Sequence, residues 1–254
     1  MNPHTNRNKT RAKYAIGAGV NLEAIVLAAG IGARLKSKIP KPLARIIRKP
    51  LIIYSLVTLS KHPLIKGIIL VVNAKNAQSV IKEIRKYRIR KIEKIVQGGR
   101  RRQDSVFNGI KAADKSTDMV LIHDAARPFI DKDTVTAVIK AAQNTGAAIV
   151  GVPVKATIKS VKVSKYQSIK GNIVDRTLDR SRLWEIQTPQ VFKKRLILNA
   201  YKKFGNTDVT DDAMLVEKLG IRVSVVLGSY CNIKITMPED LAIAEGVAKL
   251  WKSA

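Results

Sequence analysis

Glu23-Ala24-Ile25-Val26-Leu27-Ala28-Ala29-Gly30-Ile31-Gly32-Ala33-Arg34, followed by Pro40-Lys41-Pro42, carries an apolar run straight into a Gly-x-Gly loop. A short apolar run without polar alternation reads as a strand buried on both faces of a parallel sheet. The loop at its end reads as a phosphate cradle. Small residues let backbone N–H groups approach anionic oxygens, and Arg34 and Lys41 bring positive charge. Two common phosphate loops are excluded. Leu35 stands where the dinucleotide fingerprint needs glycine, and no Gly-Lys-Ser/Thr follows. Taken alone, the stretch also fits a tight strand-to-helix turn with exposed basic side chains.

Outward from this stretch, apolar runs and helical patterns alternate. Strands are predicted over 68–72, 92–96, 119–122, 147–152 and 223–227. Helices are predicted over 51–61, 76–88, 104–113, 132–144, 193–204, 211–219 and 238–249. That alternation predicts an α/β fold with a mostly parallel sheet covered on both faces. Ligands in such folds bind beyond the carboxyl ends of the strands, where the opening loop lies. Thr236 and Glu239 have the spacing of a capping box at the start of the last helix, with Pro238 in its first turn. Residues 153–180 break the rhythm with short alternating strands, read as an arm for oligomerisation or a lid. The expected organisation is a basic tail over 1–22, a main domain over 23–152 and 181–254, and a β-arm over 153–180.

The chain has 47 Lys and Arg against 19 Asp and Glu, a formal charge of +28, which raises a nucleic-acid or membrane-surface reading. The densest basic stretch, Lys82 to Arg102, begins on the wet face of an amphipathic helix whose other face carries Val80, Ile81 and Ile84. Aromatic residues make up 5% of the chain, too few and too scattered for a base-stacking platform. Nucleic-acid contact is therefore expected to be non-specific. No apolar run approaches the roughly 18–20 residues of a membrane span. Cys231 is the only cysteine, which excludes an intrachain disulfide and fits a reducing cytoplasm. The tail has no acidic residue and lacks the apolar core of a secretory signal.

Several groups carry chemistry. Asp124, in His123-Asp124-Ala125-Ala126-Arg127-Pro128, directly follows a predicted strand. It is a candidate Mg²⁺ ligand, or else the partner of Arg127 in a loop-fixing salt bridge. His123, His4 and His62 lack the spacing of a zinc site. Gly98-Gly99 turns into a helix carrying Arg102 and Ser105; its N-terminus suits a base, ribose or phosphate, or Ser105 or Asp104 merely caps it. Lys234 lies on a short apolar stretch, a position also common for an exposed lysine. No Ser/His/Asp set or nucleophile elbow is present. The set Arg34, Lys41, Arg127, Arg180 and Lys234, with Asp124, suits phosphoryl or nucleotidyl transfer, where the protein positions reactants and neutralises charge.

Read together, these pieces resemble the 2-C-methyl-D-erythritol 4-phosphate cytidylyltransferase family over residues 23–250. The blocks that carry the resemblance are Ala28 to Arg34 with Pro40-Lys41, Gly98 to Val106, and His123 to Pro128. Thr157-Ile158-Lys159, Asp179-Arg180, Gln187 to Phe192, Thr210-Asp211-Asp212 and Asn232 to Thr236 follow in order. The resemblance implies a Rossmann-like, three-layer αβα nucleotidyltransferase fold with a mostly parallel twisted sheet and a protruding β-arm. It implies transfer of a cytidylyl group from CTP to methylerythritol 4-phosphate with release of pyrophosphate. By that likeness Arg34 and Lys41 stabilise charge on the nucleotide phosphates, and Arg180 and Lys234 hold the sugar-alcohol phosphate. Ala28, Ala29, Gly30, Gly32, Gly98, Gly99, Arg102 and Ser105 form the nucleotide side. Arg127, Thr157 and Thr210 face the second substrate, and Asp124 places Mg²⁺. A homodimer is implied, with Thr157 and Arg180 serving the neighbouring subunit. Two positions depart from the family's usual pattern: Pro42 replaces a glutamine and Ala156 an aspartate. The alternatives are another polyol phosphate as acceptor, such as ribitol 5-phosphate, or a basic nucleic-acid-binding protein on the same fold.

Overall fold

The structure is a computed structural model that describes residues 19–30, 32, 35, 39–163 and 171–251. Arg34, Ile31, residues 1–18 of the expected tail and residues 164–170 of the expected arm lie outside the described residues.

The main sheet has seven strands in the order β11-β7-β10-β6-β1-β4-β5. They are β1 (Leu22–Ala28), β4 (Gly67–Val72), β5 (Ile92–Gln97), β6 (Met119–Asp124), β7 (Ala147–Pro153), β10 (Trp184–Lys193) and β11 (Ser224–Leu227), while β2 (Arg45–Ile46) and β3 (Lys49–Pro50) pair apart as a short ribbon. β1 pairs in parallel with β4 on one side and β6 on the other. The strand order therefore reverses at β1, which puts a topological switch point at its carboxyl end.

Alternation along the strands builds the layers. Ala24 and Val26 of β1 point into one core with Leu70 of β4 and Leu121 of β6. Ile25, Ile69, Val120 and Ile122 point into the other. Helices α1 (Leu51–Lys61), α2 (Ala77–Lys86) and α4 (Lys132–Thr145) cover the first face. Helices α3 (Arg102–Ala112), α5 (Lys194–Phe204) and α6 (Ala213–Glu217) cover the second. Helix α7 (Pro238–Trp251) closes a third, smaller cluster with Ile46, Leu51, Phe129 and Ile235. The result is the expected three-layer α/β architecture.

Three local expectations are corrected. β10 runs antiparallel to both β6 and β7 in the middle of the sheet, where no strand is predicted. Proline has no N–H to give a ladder and argues against a central strand. Pro189 is accommodated because the pairing shifts register between Gln187 and Gln190, leaving Thr188 and Pro189 out of the ladder with β7. The capping residue of α7 is Asp240, not Glu239. Its carboxylate accepts from the Thr236 N–H (2.6 Å), the Thr236 hydroxyl (2.8 Å) and the Met237 N–H (2.8 Å). Helix α6 is confined to Ala213–Glu217, shorter than the predicted 211–219.

Between β7 and β10 the chain makes an antiparallel hairpin, β8 (Lys159–Val163) and β9 (Asn172–Thr177). It is a separate two-stranded sheet with every β9 residue exposed.

Candidate active site

The site forms where β1 and β6 end. Ala28 closes β1 and Asp124 closes β6, and the Ala125 N–H donates to the Leu27 carbonyl (3.0 Å), tying the two loops together. A cavity of about 520 Å³ opens here. Its walls include Ala28, Ala29, Gly30, Gly32, Lys41, Gly99, Arg102 and Ser105. A second cavity of about 540 Å³ lies beside it and includes Arg127, Thr188, Gln190, Thr210 and Asp211. Arg102, Asp124 and Lys234 line both.

Those shared residues form one ion cluster. Asp124 Oδ1 is 3.1 Å from Arg102 Nε, and Asp124 Oδ2 is 2.6 Å from Lys234 Nζ. Arg102 Nη1 reaches the fully buried Asp212 at 2.9 Å. Asp212 also accepts from the Tyr201 hydroxyl at 2.5 Å. Burial pushes the Asp124 carboxyl up, but the Arg102 and Lys234 charges outweigh it and hold the carboxyl well below the usual range. Burial likewise opposes the charge on Arg102, while Asp212 and Asp124 more than restore it. Burial and then Asp212 push the Tyr201 phenol well above its ordinary range, so it stays a neutral donor. Arg102 and Asp124 are thus held in their charged forms and Tyr201 as a neutral donor.

The pairing of Asp124 with Arg127 does not form. Arg127 instead donates to the Asn232 carbonyl (2.7 Å) and the Ile186 carbonyl (3.2 Å). It braces two chain segments at the wall of the second cavity. His123 is structural. Its Nε2 lies 3.0 Å from the Arg127 carbonyl, which can only accept, so Nε2 carries the proton. Its Nδ1 then accepts from the Thr188 hydroxyl (3.1 Å), whose oxygen accepts from the Asp124 N–H (3.1 Å). Complete burial pushes the imidazole down to about 4, keeping it neutral in this network.

Glycines let the first cavity close around its loop. A Cβ on Gly98 would sit 2.3 Å from Ala29 Cβ, and one on Gly32, at φ +66°, 2.7 Å from Lys41 Cβ. Gly30 lines the cavity with open space before it. Ser105 does not cap α3; Asp104 does, its carboxylate accepting from the N–H of Arg101 at the N-cap (3.0 Å). The Ser105 hydroxyl instead accepts from the Gly99 N–H (3.0 Å) and so fixes the Gly98–Gly99 turn.

The fold thus gathers Ala28, Ala29, Gly30, Gly32, Lys41, Gly99, Arg102, Ser105, Asp124 and Lys234 around one cavity. Arg127 and Thr210 join the second cavity. Thr157 and Arg180 line neither; both are exposed near the hairpin, and Arg180 Nη1 donates to the Lys155 carbonyl at 2.6 Å. Sequence reasoning missed the supports. Asp212, Tyr201 and Thr188 sit next to the ions or behind them. Asp212 and Thr188 had a signal, since they lie in the blocks Thr210-Asp211-Asp212 and Gln187 to Phe192, whereas Tyr201 had none.

Among the described residues no group of three His, Cys, Asp or Glu could hold a metal ion. Asp124 is the one carboxylate common to both cavities' walls. A single carboxylate fits Mg²⁺, which keeps its waters and takes most of its remaining ligands from substrate phosphates. No helix among the described residues is long and apolar enough to cross a membrane.

A family profile described as 2-C-methyl-D-erythritol 4-phosphate cytidylyltransferase matches residues 22–249. A relative of that name from Syntrophus aciditrophicus is 46% identical over 229 residues, covering 89% of this chain and 95% of its own. Another, from Alkaliphilus metalliredigens, is 42% identical over 226 residues, covering 88% and 91%. The crystal structure of 4-diphosphocytidyl-2C-methyl-D-erythritol synthase from Anaerococcus prevotii superposes with a TM-score of 0.78 at 32% identity, over 91% of this chain and 96% of that one.

Proposed function

The chain belongs to the 2-C-methyl-D-erythritol 4-phosphate cytidylyltransferase family, and from that membership we infer how its two cavities divide the reaction. It transfers a cytidylyl group from CTP to 2-C-methyl-D-erythritol 4-phosphate in isoprenoid precursor synthesis. An acceptor phosphate oxygen bonds to the α-phosphorus of CTP, and the bond from that phosphorus to the leaving pyrophosphate breaks. The observation that carries the division of roles is the Arg102–Asp124–Lys234 cluster shared by both cavities. Two anionic substrates meeting there face the Arg102 and Lys234 cations, which Asp124 and Asp212 hold in place beforehand.

On this reading CTP occupies the first cavity. Ala28, Ala29, Gly30 and Gly32 cradle it, and Gly98, Gly99, Arg102 and Ser105 face the cytidine side. Lys41, with Arg34, neutralises charge growing on the phosphates. The acceptor occupies the second cavity beside Arg127 and Thr210, its phosphate held by Lys234. Arg180 and Thr157 complete the acceptor site from a neighbouring subunit. Supporting a homodimer, the hairpin exposes Val161, Val163 and Val174, an apolar surface that a lone chain leaves wet. Asp124 would hold Mg²⁺, which supplies charge neutralisation at the nucleotide phosphates. A cytoplasmic setting accords with the single cysteine. The basic surface supports only non-specific contact with nucleic acid.

Pyrophosphate release from CTP, measured with methylerythritol 4-phosphate and with ribitol 5-phosphate in parallel, tests the acceptor. Turnover with the first is expected. Turnover with ribitol 5-phosphate alone would overturn the choice.

A further inference from the structure

We propose that Tyr230 is a positioning residue that sets Arg180 for the acceptor phosphate, a proposal that rests on the reading of Arg180 as an acceptor ligand. Tyr230 belongs to the loop between β11 and α7, four residues before Lys234. The loop is pinned to the site. The Gln187 side chain donates to the Ser229 carbonyl (2.9 Å), and Asn232 donates to Gln187 Oε1 (3.0 Å).

From that fixed base Tyr230 reaches out to the root of the hairpin. Its hydroxyl donates to the Pro153 carbonyl at 2.6 Å, the last residue of β7. Its ring lies under Lys155 Nζ, 3.4 Å from the ring centroid. The carbonyl of the same Lys155 accepts the Arg180 guanidinium at 2.6 Å. Tyr230 therefore grips both ends of the segment 153–155, and that segment's last carbonyl orients Arg180. Arg180 leans on the Lys155 carbonyl and is itself exposed. An exposed guanidinium on a long, flexible stem needs such a support, because ordering its rotamers costs free energy at binding. With Tyr230 in place, part of that cost is met on folding.

The contact is a cation–π pair plus one hydrogen bond, so its loss is expected to raise the KM for the acceptor about tenfold. Neither group touches the first cavity, so kcat and the KM for CTP are expected to hold within about twofold of wild type. The test is a double-mutant cycle on steady-state kinetics with Tyr230→Ala and Arg180→Ala, together with Tyr230→Phe, which keeps the ring under Lys155 and loses only the hydroxyl. The expected result has three parts. Tyr230→Ala raises the acceptor KM, Tyr230→Phe raises it less, and the double variant matches Arg180→Ala alone. Unchanged acceptor KM in Tyr230→Ala, or effects that multiply in the double variant, would overturn the proposal while leaving Arg180's role intact. An Arg180→Ala enzyme with wild-type acceptor KM would overturn the acceptor reading and the proposal with it. A parallel rise in the KM for CTP in Tyr230→Phe would show that the change reaches beyond the acceptor side, and that too counts against the proposal.

Discussion

The floor of the site and the hairpin of β8 and β9 are opposite solutions to displaying charge. The floor puts Asp124 and Asp212 in buried positions and braces them with Arg102, Lys234 and Tyr201, so each ion is held before any substrate arrives. At the root of the hairpin Arg180 and Thr157 stand exposed. Its Val163 is 78% exposed, whereas Val26 of β1 is wholly buried. A pre-organised site can be encoded by one chain's core. An arm without a core gains its order only where something packs on it.

The sharpest way to break this contrast is Arg102→Ala. It strips the fully buried Asp212 of its cation, and loss of one partner of a buried pair costs about 3–5 kcal/mol. Chemical denaturation should show a loss on that scale; a loss under about 1 kcal/mol would mean the floor is not held by this cluster. Next is Lys41→Ala, which leaves the cluster whole but removes a charge from the first cavity. Turnover should fall about 100-fold, the scale of losing one preorganised stabilising group. A variant with wild-type kcat would remove Lys41 from the transition state.

A third test uses acid. The folded imidazole of His123 is depressed to about 4 by burial, below its unfolded value of about 6.5. Between those values the unfolded chain binds a proton that the folded chain refuses, so stability falls as pH drops through that window. The slope from this group approaches at most about 1.4 kcal/mol per pH unit. Asp124 adds a further loss at still lower pH, since its folded value lies below its unfolded one. Melting curves from pH 7 to 4 should fall more steeply than those of a His123→Gln variant. Parallel curves would refute the neutral-histidine network. The hairpin should respond least of all within one chain. Val163→Asp is expected to change unfolding stability by under about 0.5 kcal/mol. Sedimentation should nevertheless show a loss of dimer; an unchanged dimer would move the interface elsewhere.

Much of the framework was legible in the residues. Buried parallel strands announce themselves by apolar runs such as Gly67–Val72, because both faces are covered and no alternation is needed. The loop that walls the first cavity was legible as a loop because Gly30 and Gly32 follow such a strand directly. β10 was hidden. Pro189 is a breaker by propensity, and only the register shift against β7 explains its tolerance. The pairing of Asp124 was hidden as well. Arg127 lies three residues away and looked the natural partner, yet the true partners come from α3 and from the segment before α7.

The sequence by itself determined most of the strands and helices in their order, β10 apart, and the family. These depend on local pattern and on motifs that survive without their neighbours. Tertiary structure alone decided which ions meet, that one cluster serves two cavities, and that Tyr230 reaches the root of the arm. Those contacts join residues about a hundred positions apart, such as Arg102 with Asp212 and Asp124 with Lys234. Electrostatic partnership follows distance in space, and chain spacing does not encode it.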